Sequence, residues 1–121
     1  MINKNIIDVA IDAHEAWKTR LRVAVETGES EFTFVKVRKD NLCDLGKLLK
    51  LMPYSERKKR LLKSIIVLHE KFHIETAEAL KVALKGNKIE AEKAISPTSR
   101  FVKSSAKFIS AMEAWKKSLI Y

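Results

Sequence analysis

Two histidines one helical turn apart are the first residues of this chain that could do chemistry. They belong to the stretch His69-Glu70-Lys71-Phe72-His73. This stretch matches the H-E-x-x-H pattern of zinc-dependent hydrolases, in which the histidines bind the metal and the glutamate is a general base. Side chains four residues apart lie on one face of a helix, so the pair can share a metal ion. Whether such a site is catalytic depends on the other ligands.

The other candidate ligands are few. The chain has 121 residues, three histidines and one cysteine, and the remaining two candidates are His14 and Cys43. Cys43 cannot form an internal disulfide, so it is an inert core thiol, a reactive thiol or a metal ligand. A single buried histidine is often a packing residue, but burying two imidazoles without partners carries a desolvation penalty. Together, three imidazoles and one sulfur would make a closed tetrahedral zinc site.

Helices must bring these side chains together. The apolar spacing predicts helices over residues 3–27, 42–51, 55–85 and 88–119, with a kink or break near Ser96 because of Pro97. Residues 31–41 are predicted to be an extended connection. The expected fold is all-α: an antiparallel four-helix bundle with three long helices and one short helix that carries the cysteine. We expect one domain over residues 1–121.

The predicted helix faces place the four candidates inward. The first helix has a stripe of apolar residues next to His14, formed by Ile6, Ala10, Ala13, Trp17, Leu21 and Ala24. His69 and His73 fall on the apolar stripe of the third predicted helix. Cys43 lies near the start of the short helix, for which Asp40 or Asn41 is the expected cap, and a helix N-terminus favours a thiolate. Convergence of the four side chains is therefore expected.

Three linked motifs make a more specific pattern than H-E-x-x-H alone. In chain order they are His14-x-x-Trp17, Cys43-x-Leu45-Gly46-x-Leu48 and His69-x-x-x-His73. This order and spacing resemble the chemoreceptor zinc-binding (CZB) domain of bacteria, whose pattern is H-x-x-aromatic, C-x-apolar-G-x-apolar and H-x-x-x-H. The resemblance implies one Zn²⁺ held by His14, Cys43, His69 and His73. It also implies packing roles for Trp17, Leu45, Gly46 and Leu48.

The resemblance further implies a sensor rather than an enzyme. CZB domains respond to zinc or to oxidants such as hypochlorous acid. They typically act with chemoreceptor or diguanylate cyclase signalling modules, in chemotaxis or cyclic-di-GMP control. We expect such a module as partner, in a longer chain or as a separate protein. In this interpretation Cys43 fills the coordination position that a hydrolase keeps for water, and Glu70 points away from the metal.

Two other functions stay open as alternatives. The first is a zinc-dependent hydrolase that uses the H-E-x-x-H segment. The second is a basic nucleic-acid-binding helical module, suggested by the net charge of +9 and the cluster "RKKR" at residues 57–60. In a lysine-rich chain such a cluster is more often a solvated helix start, so nucleic acid is not an expected partner.

The remaining expectations concern location and assembly. Asp8, Asp12 and His14 interrupt the apolar pattern near the N-terminus, unlike a signal peptide, and no apolar run reaches the roughly 20 residues that span a bilayer. We therefore expect a cytoplasmic protein with no membrane partner. The resemblance implies a homodimer, and five isoleucines off the predicted inward faces also suggest one: Ile2, Ile7, Ile11, Ile109 and Ile120.

Overall fold

The computed structural model describes residues 2–120, and within them the chain forms helices and no strand. There are seven α-helices in these residues: α1 (Lys4–Thr27), α2 (Phe34–Val37), α3 (Asp44–Leu51), α4 (Tyr54–Arg57), α5 (Arg60–Leu84), α6 (Lys88–Ala94) and α7 (Arg100–Ser118). A 3-10 turn, Asp40–Leu42, joins α2 to α3. The all-α class is confirmed, whereas the four-helix arrangement stays a prediction.

Helix α5 lies at the centre of the packing. It contacts α1, α2, α6 and α7, and α1 also contacts α7. Phe72 and Ile65 of α5 are fully buried, together with Leu21 of α1 and Phe108 and Met112 of α7. Burying a large apolar side chain contributes roughly 1.5–3 kcal/mol, so this contact holds the three long helices together.

The buried face of α1 differs from the predicted stripe by one position at its N-terminal end. Ile7 and Ile11 are buried, whereas Ile6 is exposed and Ala10 is half-buried. The helix turns its two isoleucines inward because they remove more apolar area from water than Ala10 and Ala13 would. Since Ile7 and Ile11 are not exposed, they no longer support a dimer interface.

The predicted helix ends are confirmed at two places. Gly28 ends α1 with φ +72, and its N–H donates to the Ala24 carbonyl at 2.8 Å. The predicted break near Ser96 separates α6 from α7, and Ser99 caps α7 by accepting from the Val102 N–H at 3.2 Å. Glycine at a positive φ and proline at a helix break act as expected.

Residues 31–41 are not an extended connection, so this prediction was wrong. Thr33 caps α2 by accepting from the Lys36 N–H at 3.4 Å, and the 3-10 turn follows directly. Each of these turns is too short to display a helical period, and Phe34 and Val35 have high strand propensity. Local capping and the packing of α2 on α5, which buries Val37, therefore set this conformation together.

The predicted 55–85 helix is also broken. Lys59 is extended, with φ −62 and ψ 140, and it separates α4 from α5. Ser55 consequently lies inside α4 and does not cap the long helix. From Arg60 onward the predicted stripe is confirmed, since its residues other than Ile66 are buried.

The short helix α3 begins at Asp44 with Cys43 as its cap, so the prediction of Asp40 or Asn41 as the cap was wrong. Leu45 and Leu49 are buried as part of the hydrophobic core, and the 3-10 turn lies against the start of α3. In the stretch from residue 2 to residue 120, no helix combines the length and apolarity needed to cross a membrane.

Candidate metal centre

The four predicted ligands come together on three helices. His14 lies on α1, His69 and His73 lie on α5, and Cys43 caps α3. One possible ligand atom from each residue lies within 4.8 Å of the others. The three histidines are buried and Cys43 is half-buried. The predicted convergence is therefore present, and the group could hold a metal ion.

The spacing of the ligand atoms fits a small tetrahedral site. The Nε2 atom of His69 lies 3.2 Å from His14 Nε2, 3.1 Å from His73 Nε2 and 3.1 Å from Cys43 Sγ. Cys43 Sγ lies 3.8 Å from His14 Nε2. A zinc ion with ordinary bond lengths would separate its ligand atoms by about 3.3–3.6 Å. Small adjustments would suffice to fit one.

Backbone carbonyls fix the tautomer of two histidines. The Nδ1 atom of His14 lies 2.7 Å from the Ala10 carbonyl oxygen, and that of His73 lies 2.8 Å from the Val37 carbonyl oxygen. A carbonyl only accepts, so both Nδ1 atoms carry the proton and donate it. The Nε2 atoms of His14 and His73 are then bare lone pairs that face the cluster. Such second contacts orient metal-binding histidines.

The four close contacts among the candidate ligand atoms cannot all be hydrogen bonds. His69 Nε2 and Cys43 Sγ can each bring one hydrogen, so at most two hydrogens serve the four close contacts among the ligand atoms. Lone pairs therefore face one another in a buried place, which is unfavourable in a low dielectric. A cation at the centre would remove this repulsion.

Burial keeps the imidazoles neutral. It lowers the pKa of His14 from 6.5 to about 4, although the hydrogen bond to Ala10 acts in the opposite direction. For His69, burial and then the neighbouring His73 and His14 lower the pKa to about 3. Burial also lowers the pKa of His73. Neutral imidazole is the form that binds metals, so these three candidate ligands are in the metal-binding protonation state at pH 7.

Cys43 behaves differently from the sequence-based expectation. Its Sγ accepts a hydrogen bond from the Gly46 N–H at 3.3 Å, as the start of a helix allows. Burial nevertheless raises the pKa of Cys43 from 9.0, and the nearby Asp40 and Asp44 carboxylates add to this rise. The helix start therefore does not make a thiolate in the metal-free chain. A bound cation would reverse this balance, because it stabilises the thiolate directly.

The predicted packing residues surround the site. Trp17 is buried and its ring meets Phe32 at 5.0 Å, while Leu45 is buried and Leu48 is half-buried. A Cβ added at Gly46 would overlap the Asp40 carbonyl oxygen and lie 2.8 Å from its carbonyl carbon. The absence of a side chain at Gly46 thus allows the preceding 3-10 turn to pack closely against the start of α3.

A cavity of about 460 Å³ adjoins the cluster between α1 and α3. Its walls include Val9, Trp17 and Leu42, and Cys43 and His73 border it. It is partly open to solvent, so small molecules can approach the sulfur.

Sequence reasoning missed one residue of this site. Asp40 was expected only as a helix cap, yet its Oδ2 lies 3.8 Å from Nδ1 of His69. The available signal was a carboxylate three residues before a candidate cysteine ligand, which by itself is weak. Glu70 of the H-E-x-x-H segment is exposed, away from the buried faces of His69 and His73.

Comparison of the chain with protein-family models, with curated proteins and with solved structures found no match.

Proposed function

We propose that this chain is a zinc-binding regulatory domain of the CZB type, with His14, Cys43, His69 and His73 as the ligands of one Zn²⁺. The observation that carries the proposal is the convergence of these four side chains, with the Nε2 lone pairs of His14 and His73 directed into the cluster. Three nitrogens and a sulfur are a donor set that favours zinc over calcium or magnesium, which prefer oxygen.

Metal content tests the proposal directly. Protein prepared with zinc and then dialysed should retain close to one equivalent by elemental analysis. His69→Ala should lose tight binding, because it removes the imidazole at the centre of the three shortest contacts between ligand atoms. Glu70→Gln is the matched control, since this exposed neighbour has no contact with the cluster, and it should retain the metal. Full zinc occupancy in His69→Ala would refute the assignment.

A regulatory role is favoured over hydrolysis by the ligand set. Four protein ligands leave no position for the water that a zinc hydrolase activates. Glu70 is exposed and could not act as a base on a water at the buried cluster. The same Glu70→Gln variant is informative, because a hydrolase of the H-E-x-x-H type would lose its activity.

The proposed stimulus is zinc itself or an oxidant such as hypochlorous acid. Cys43 supports the second possibility, because it is half-buried and borders the cavity between α1 and α3. When the sulfur is a thiolate, two of its electrons can reduce the chlorine of hypochlorous acid to chloride, leaving a sulfenic acid on Cys43. A sulfenic acid is a poorer ligand, so the site would then hold the metal by three imidazoles.

The proposed setting is a cytoplasmic antiparallel four-helix bundle that dimerises and controls a chemoreceptor or diguanylate cyclase module. Of the isoleucines that suggested a dimer, Ile120 is exposed and Ile2 and Ile109 are half-buried. Exposed apolar side chains on α1 and α3, such as Val9 and Leu51, add to the surface that a partner could cover. Light scattering at micromolar concentration with zinc bound should report a dimer, and a monomer would contradict this.

A further inference from the structure

The three imidazoles differ in the hydrogen-bond partner of Nδ1, the ring nitrogen that does not face the other ligands. His14 and His73 each donate through Nδ1 to a backbone carbonyl. The Nδ1 atom of His69 is buried without a hydrogen-bond partner. The charged group facing it is the Asp40 carboxylate, whose Oδ2 is 3.8 Å away. An unpartnered buried nitrogen beside a carboxylate is unexpected unless the pair closes in some state of the protein.

Metal binding would define that state. If Nε2 of His69 gives its lone pair to a metal, the neutral ring must carry its proton on Nδ1. That N–H then needs an acceptor in a buried place. The Asp40 side chain is 36% exposed, so it is free to move the ~1 Å that separates 3.8 Å from an ordinary hydrogen bond.

Asp40 also lies close to Cys43, the sulfur ligand. Its carbonyl oxygen lies 3.4 Å from Sγ of Cys43, within the 3-10 turn that packs over Gly46. The backbone of Asp40 thus contacts the sulfur ligand while its side chain faces the central imidazole. These contacts connect the 3-10 turn to both ligands.

We propose that Asp40 is a positioning residue of the metal centre, whose carboxylate accepts a hydrogen bond from Nδ1–H of His69 when Nε2 of that ring binds zinc. The inference rests on the proposed zinc site. In this role Asp40 fixes the ring orientation and increases the basicity of the ligand nitrogen.

Zinc affinity, measured by competition with a chelator of known affinity, tests the role. Asp40→Ala should lower the affinity about 10–100-fold, the usual effect of losing such a contact. Asp40→Asn keeps an accepting oxygen without the charge, so it should lower the zinc affinity less than Asp40→Ala does. The matched control is Asp44→Ala, which removes another carboxylate that also acts on Cys43. Asp44 has no contact with His69, so the zinc affinity of this control should stay within a few-fold of that of the unmodified chain.

A second measurement separates positioning from general loss of structure. In ¹⁵N spectra of the zinc-bound protein, Asp40→Ala should expose the His69 Nδ1–H to solvent exchange while the Nδ1–H signals of His14 and His73 persist. Loss of all three signals together would overturn the role. Equal zinc affinities in Asp40→Ala and Asp44→Ala would also overturn it while leaving the zinc site standing. An unmodified chain that binds no zinc would instead refute the proposed function.

Discussion

At the scale of single residues, the four proposed ligands of the candidate metal centre are in two protonation states. The imidazoles of His14 and His69 have pKa values of about 4 and about 3, so they carry no extra proton at pH 7. The pKa of Cys43 is raised from 9.0 by burial, so the thiol keeps its proton. Zinc binding near neutrality must therefore displace one proton, and that proton comes from the sulfur.

This difference predicts the pH dependence of zinc affinity. Between about pH 6 and 8 the apparent affinity should rise about tenfold per pH unit, because one proton leaves as zinc binds. Below pH 4 it should fall more steeply, as His14 also becomes protonated. Titration calorimetry in buffers of different ionisation enthalpy should find close to one proton released at pH 7. Cys43→Ser should bind more weakly and release almost none.

Release of two or more protons at pH 7 would contradict this prediction. It would mean that imidazoles are charged in the metal-free chain, as an unperturbed pKa near 6.5 would partly allow. The histidine pKa values are lowered because the rings are buried. The sequence pattern predicted that these side chains point inward, but not how completely they are buried.

The sequence predicts the four candidate ligands better than it predicts what surrounds them. His14, Cys43, His69 and His73 stand out by type and spacing, because metal ligands need particular side chains at fixed positions. The Ala10 and Val37 carbonyls that orient two of the rings are backbone atoms, so no residue type identifies them. Asp40 was expected only as a helix cap, because the 3-10 turn that places its side chain beside His69 was predicted to be extended.

At the scale of helices and turns, the position of Cys43 depends on the close contact between the 3-10 turn and α3. Gly46 allows this contact, since the Asp40 carbonyl occupies the place of a Cβ. The N–H of the same glycine donates to Cys43 Sγ. A change at Gly46 therefore acts on the sulfur ligand and on Asp40 together.

We predict that Gly46→Ala lowers zinc affinity on the order of tenfold or more, because the added methyl group displaces the turn. Gly28→Ala is the control, since Gly28 has φ +72 and open space around it, far along α1 from His14. That variant should lose about 1–2 kcal/mol of stability from left-handed strain and keep its zinc affinity. Chelator competition and thermal unfolding of both variants would measure the contrast. Equal zinc affinities would show that the close contact does not position the cysteine.

The long helices were predictable because they contain many periods of the apolar pattern. The stripe of α5 and the break before α7 were both confirmed. One-turn elements such as α2 and α4 display less than two periods, so their conformation is set by capping and packing that a pattern does not encode. The apolar pattern also did not decide which residues of α1 are buried, because Ile6 and Ile7 are adjacent and both apolar, and only Ile7 is buried.

At the scale of the whole molecule, α1 and α3 are attached very differently. Buried residues hold α1 against α5 and α7. Two ion pairs also join α1 to its neighbours: Arg22 with Glu92 of α6 at 2.9 Å, and Asp8 with Lys116 of α7 at 2.7 Å. Helix α3 has three buried residues against seven on α1, and it borders the cavity next to α1. A metal bond through Cys43 would thus add an attachment of residues 40–51 to the long helices beside the few apolar contacts of Leu45 and Leu49.

This contrast predicts which part of the molecule responds when the metal leaves. Near-stoichiometric hypochlorous acid should oxidise Cys43 and release zinc, because a sulfenic acid replaces the thiolate ligand. Amide hydrogen exchange should then rise in residues 40–51, while α1, α5 and α7 keep most of their protection because their buried contacts remain. A chromogenic chelator would follow the metal and mass spectrometry the exchange. The metal-free chain, prepared with a chelator and given no oxidant, should show the same local rise. Zinc that leaves only when the long helices also lose protection would instead indicate a permanently structural site, since release would then require unfolding of the core.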